Sequence, residues 1–81
     1  MTKEAVYVAL NQLFSDIFDE EITLFPETTA KDIEGWDSLE HINVIHSVER
    51  RFGMKFKMGE ISTMKCVGEM VDLILARATK E

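Results

Sequence analysis

Apolar residues fall at helical spacing in three stretches of the chain. In the first, Val6, Leu10, Leu13, Phe14, Ile17 and Phe18 recur every three or four positions. That is the period of one helix face, and with Thr2 in front as an N-cap it predicts a helix over residues 3 to 18. The second stretch runs from Ser38 to about Phe52. At roughly 100° per residue, with Ser38 at zero, Val44, Val48, His41, Phe52 and Ile45 fall between roughly 240° and 340°. That arc is wide enough to face a core. Asp37 supplies an N-cap, Glu40 stands three residues on at capping-box spacing, and Gly53 fits the position that ends a helix. The third stretch, about Cys66 to Ala78, sets Val67, Met70, Val71, Ile74 and Leu75 on one face.

The connections are less regular. From about Asp19 to Asp37 the chain is punctuated by Ile22, Leu24, Phe25, Ile33 and Trp36. A connection this long is unusual in a compact domain, so these residues are expected to pin it across the helices. A short helical turn is expected near Ala30 to Glu34. Met54-Lys55-Phe56-Lys57 alternates like a strand but has no sister strand. It is expected to be an extended connector with Phe56 turned inward, followed by a short helix from Gly59 to about Thr63. The predicted fold is an all-α four-helix bundle over residues 1 to 81, with three long helices, one short helix and a long first loop.

Composition narrows the function. Eighty-one residues make one domain, which buries only about 60% of its unfolded surface. The 9 basic and 15 acidic residues give a net charge of −6. That disfavours nucleic acid and anionic membranes and favours partners with basic patches. A single cysteine, Cys66, excludes an internal disulfide and suggests a reducing compartment. No apolar run approaches the roughly 20 residues of a spanning helix. Met1-Thr2-Lys3-Glu4 lacks the apolar stretch of a signal peptide. The chain is expected to be a cytoplasmic, free-standing, monomeric unit without membrane insertion.

Candidate chemistry gathers at Gly35-Trp36-Asp37-Ser38-Leu39. These residues put a serine hydroxyl at the start of an amphipathic helix, straight after a loop. Helix N-termini expose unpaired N–H groups and the positive end of the macrodipole, which suits a negatively charged group on or near that serine. Ile42, His46 and Leu39 fall at roughly 40°, 80° and 100°, outside the core arc. An apolar patch of this kind beside an exposed helix start is a surface for a partner.

Asp37-Ser38-Leu39, the apolar helix after it and the closing Arg51-Phe52-Gly53 resemble the acyl carrier proteins, over about Val6 to Ala76. The resemblance implies that Ser38 receives 4′-phosphopantetheine from coenzyme A through a phosphodiester. The terminal thiol then holds acyl groups as thioesters. It also implies that Asp37 contributes to recognition by a phosphopantetheinyl transferase. Partners would dock on the second helix, for which Leu39, Glu40, Ile42, His46 and Glu49 are the candidates. They would include acyl-activating, acyl-transferring and ketosynthase-type enzymes. On this view the chain is not itself an enzyme. A peptidyl or aminoacyl carrier, and an unmodified helical adaptor binding through its acidic face, remain as alternatives.

The chain departs from the family where Asn43, Arg50 and Arg51 interrupt the usual acidic stripe of this helix. His46 stands where a long apolar residue is common, and Lys65-Cys66 replaces a threonine pair. These departures point to a specialised fatty-acid, polyketide or lipid pathway.

Other constellations carry less. His41 and His46, five apart, do not align as metal ligands. His41 is expected to be buried and hydrogen-bonded. Asp16, Asp19, Glu20 and Glu21 lack the glycine and spacing of an EF-hand loop and read as a solvated face. Cys66 is expected to be a buried inert thiol. The Gly-x-Ser-x-Gly elbow of serine hydrolases is absent, since Trp36 and Glu40 flank Ser38 where glycines would stand.

Overall fold

The computed structural model describes residues 2–79, and among these there are four α-helices and no strand. Helix α1 spans Lys3–Phe18, α2 Ser38–Phe52, α3 Met58–Thr63 and α4 Val67–Arg77, with a 3₁₀ turn at Ala30–Asp32. Helix α1 packs against α2 and α4. The core is one cluster, built by Val6, Leu10 and Phe14 of α1, Val44, Ile45, Val48 and Phe52 of α2, and Val67, Met70, Val71 and Ile74 of α4. Leu75 lies off this stripe and is exposed, contrary to its expected inward place. It sits roughly 100° round the helix from Ile74, past the edge of the packed face.

Local chemistry sets the helix ends. Thr2 accepts a hydrogen bond from the Ala5 N–H. Asp37 Oδ1 accepts from the Glu40 N–H at 2.9 Å, capping α2. The expected reciprocal half of a capping box does not form, because the Asp37 N–H donates to the Gly35 carbonyl instead. Gly53 ends α2 at φ 61°, where the Met54 N–H reaches back to the Glu49 carbonyl at 3.2 Å.

The long loop is ordered by two means. Ile22, Leu24, Ile33 and Trp36 are buried in the core, as expected. Polar side chains of α1 also hold its backbone: Asn11 Oδ1 accepts from the Leu24 N–H at 2.7 Å, and Ser15 Oγ from the Ile22 N–H at 3.0 Å. Phe25 is not an anchor and is 55% exposed. It opens a turn in which backbone makes the contact. The Pro26 and Thr28 carbonyls accept from the Gly68 and Val67 N–H groups, so the loop caps α4. Gly68 is needed there, because a Cβ would lie 2.9 Å from the Pro26 oxygen.

The connector after α2 runs extended, with Met54 as well as Phe56 buried. Its Phe56 N–H donates to Glu49 Oε2 at 2.9 Å. Helix α3 is tied to α4 by a two-pronged ion pair between Glu60 and Arg77.

Candidate functional site

Ser38 is the first residue of α2, and its exposure follows from the loop before it. Ile33 to Trp36 forms a tight turn in which the Trp36 N–H donates to the Ile33 carbonyl at 3.2 Å. Gly35 takes φ 90°, the left-handed value that the third position of a type II turn requires. Trp36 is then driven into the core, where its ring meets Phe14 edge-on at 5.1 Å and Phe18 at 6.5 Å. Its burial leaves Asp37 and Ser38 outside. Asp37 satisfies the Glu40 N–H, while the Ser38 and Leu39 N–H groups stay at the open, positive end of the helix beside the hydroxyl.

A cavity of about 490 Å³ opens beside Ser38. Trp36, His41 and Ile42 line one side, and Ile61, Met64 and Cys66 the other. The expectation of a buried inert Cys66 is therefore corrected: it is half-buried, precedes α4 as its cap residue and lies on the cavity wall. The α3 side of this cavity was not identified from sequence. Its signal was the apolar pair Ile61 and Met64, spaced three apart on a segment too short to show periodicity.

His41 gives Ser38 no base. Its Nδ1 accepts from Trp36 Nε1–H at 3.1 Å, and its Nε2 lies 3.2 Å from the Ile61 carbonyl. Both ring nitrogens are engaged away from the serine hydroxyl. The ring is half-buried. His46 is exposed, so the two histidines do not converge. Among the described residues no group of three or more His, Cys, Asp or Glu gathers as a metal site. The arrangement thus offers an accessible hydroxyl at a helix N-terminus, without a partner to activate it for attack.

No family model matches the chain. It is similar to an acyl carrier protein of Acidothermus cellulolyticus, with 29% identity over 80 residues, covering 98% of this chain and 94% of that one. The solution structure of a holo acyl carrier protein from Geobacter metallireducens superposes with a TM-score of 0.81 at 42% identity, covering 88% of this chain and 83% of that chain. This chain belongs to the acyl carrier protein family. Its function is to carry acyl groups, and members of the family are carriers, not enzymes.

The surface beside Ser38 is partly apolar. Leu39 is 77% exposed and Ile42 47% exposed, and His46 is exposed with them. The long loop buries none of the three. Glu40 is half-exposed on the same end of α2. Glu49 differs from its expected place on this face. Its side chain is 12% exposed, and its carboxylate holds the connector through the Phe56 N–H, with Lys55 Nζ 3.9 Å away. Its charge serves the fold. Met58, at the start of α3, adds an exposed apolar side chain that sequence reading missed. Among the described residues no helix is long and apolar enough to cross a membrane.

Proposed function

We propose that Ser38 is the attachment point of a 4′-phosphopantetheine arm and that the chain presents acyl thioesters on it to a series of enzymes. The observation that carries this reading is the exposed Ser38 hydroxyl at the capped N-terminus of α2, with a part-apolar cavity beside it. When bound, the arm supplies a terminal thiol that holds an acyl group as a thioester. The residues present fit such a group. A phosphodiester on Ser38 would sit at the positive end of α2, next to the free Ser38 and Leu39 N–H groups. Asp37 keeps the first turn formed and adds a carboxylate for a basic transferase to read. The Geobacter relative is a holo form, which supports the same modification here.

Coenzyme A donates the arm, and a phosphopantetheinyl transferase installs it. Leu39, Glu40, Ile42 and His46 form the docking face, with Glu49 contributing through the connector it holds. Partners are acyl-activating, acyl-transferring and ketosynthase-type enzymes. Asn43 and Arg50 are exposed on α2 and dilute its negative charge, which favours a specialised fatty-acid, polyketide or lipid pathway. The protein works as a single-domain monomer in the cytoplasm.

The test is intact mass after incubation with coenzyme A and a phosphopantetheinyl transferase. Wild type gains the arm, while Ser38→Ala folds, because the side chain is exposed, and gains nothing. A wild type that never gains mass would leave the unmodified helical adaptor as the better reading.

A further inference from the structure

Both ring nitrogens of His41 are bonded, and the partners fix its protonation state. Trp36 Nε1–H donates to Nδ1 at 3.1 Å. An indole nitrogen is a donor only, so Nδ1 carries no proton. The ring's one proton therefore sits on Nε2 and is donated to the Ile61 carbonyl, 3.2 Å away. The imidazole thus ties the loop before Ser38 to α3, joining the two sides of the cavity. Only one tautomer of the neutral ring can do this. A second proton on Nδ1 would set two donors against each other on the Trp36 side. The Ile61 bond would persist and gain charge assistance.

The residue released is the one that places Ser38. Trp36 stands two positions before it, is 8% exposed, and fixes the Gly35-Trp36-Asp37 segment by its burial. Its ring also packs in the apolar core cluster, where it meets the rings of Phe14 and Phe18, and it lies 5.8 Å from the His41 ring itself. The bond to Nδ1 is the hydrogen bond its indole N–H makes. We propose that His41 is a positioning residue for Ser38 and the adjacent cavity, acting as a proton-operated latch. Neutral, it holds Trp36 and α3 together; doubly protonated, it releases Trp36 and changes how Ser38 is presented.

The charged and titratable groups around the ring come from several elements. The loop brings Asp37, which lines the cavity and whose carboxylate is already engaged by the Glu40 N–H. The α3–α4 side brings Lys65 and Cys66, which line the same cavity. Helix α3 faces the ring with the Ile61 carbonyl and Ser62, and α1 meets it through Trp36 with the apolar Phe14 and Phe18.

The latch is tested on the ¹⁵N-labelled chain without an arm. The range is about pH 8 to about pH 5, over which an ordinary histidine changes charge. At the upper end the His41 ring nitrogens must report the Nε2–H tautomer. On acidification the Trp36 indole N–H resonance moves upfield, with the midpoint of the His41 ring and not that of His46. Trp36 is the only tryptophan, so its fluorescence follows the same curve. His41→Gln offers an amide oxygen to the indole and an amide N–H to Ile61 but does not titrate, and its Trp36 signals stay flat.

Arm loading supplies the functional readout, and this part rests on the reading of Ser38 above. The wild-type rate, divided by that of H41Q at each pH, falls about fivefold at the acid end, the worth of one net hydrogen bond. An Nδ1–H tautomer at high pH, or an indole signal that is static or follows His46, overturns the latch. A flat rate ratio with a titrating indole overturns its role in placing Ser38. Should H41Q fail to fold, the wild-type tautomer and the shared midpoint decide. If no form accepts an arm at any pH, the attachment reading falls while the latch is still judged on the spectra.

Discussion

Two residues of α2 separate the core from the proposed docking face. Val48 has no exposure and lies in the core cluster, while Ile42, on the same helix, is exposed beside Ser38. Val48→Ala should cost about 1–3 kcal/mol, a large share of what a small domain has. An unchanged urea midpoint would show that the α2 core face is misassigned. Ile42→Asn should leave the melting temperature nearly unchanged and slow arm loading. A large drop in melting temperature would place Ile42 in the core instead and remove it from the docking face. Gly68 makes a different claim. Its N–H bonds to Pro26 and a Cβ would meet that same carbonyl at 2.9 Å. Gly68→Ala should therefore destabilise by about 1–3 kcal/mol although alanine is the better helix former. A more stable alanine variant would mean that the loop does not cap α4.

At the scale of elements, one ion pair ties α3 to α4. Helix α3 is a short helix of 6 residues, and its half-buried Ile61 packs at the edge of the core cluster. The Glu60 carboxylate accepts from Arg77 and from the Lys57 N–H, so it caps α3 while tying it to α4. The Arg77 hydrogen bonds, followed by that from Lys57, lower the Glu60 pKa from 4.5 to about 2. Because the folded value is the lower one, folding favours the ionised carboxylate. Its stabilisation is complete above pH 4.5 and is lost as pH falls from there towards about 2. Hydrogen exchange of the α3 amides should quicken across that window in wild type. Glu60→Gln should already exchange faster at neutral pH and show little further change. If wild type and E60Q follow the same pH profile, the pair does not hold α3.

At the scale of the whole molecule, the regular elements were legible because their signals are local. Thr2, Asp37 and Gly53 mark helix ends through their own side chains or backbone freedom, and the core stripes of α1 and α2 are periodic. What was not legible depends on pairs distant in sequence. Asn11 and Ser15 look like a solvated helix face until the loop backbone arrives to use them. Glu49 looks like surface charge for the same reason, until the Phe56 N–H finds it. Phe25 looked like an anchor because it is apolar, yet the loop docks there through carbonyls. The cavity beside Ser38 needs α3 to close its far side, and so brief a helix shows too little periodicity to orient its apolar residues.

The central claim, that this carrier holds its cargo at Ser38, is tested most directly by locating the modification. The chain is incubated with coenzyme A and a phosphopantetheinyl transferase, digested, and its peptides fragmented in a mass spectrometer. The arm is predicted on the peptide containing Ser38, with no label on Ser15, Ser47 or Ser62. Label on one of those three serines, or an unlabelled Ser38 under conditions that load another acyl carrier protein, would contradict it.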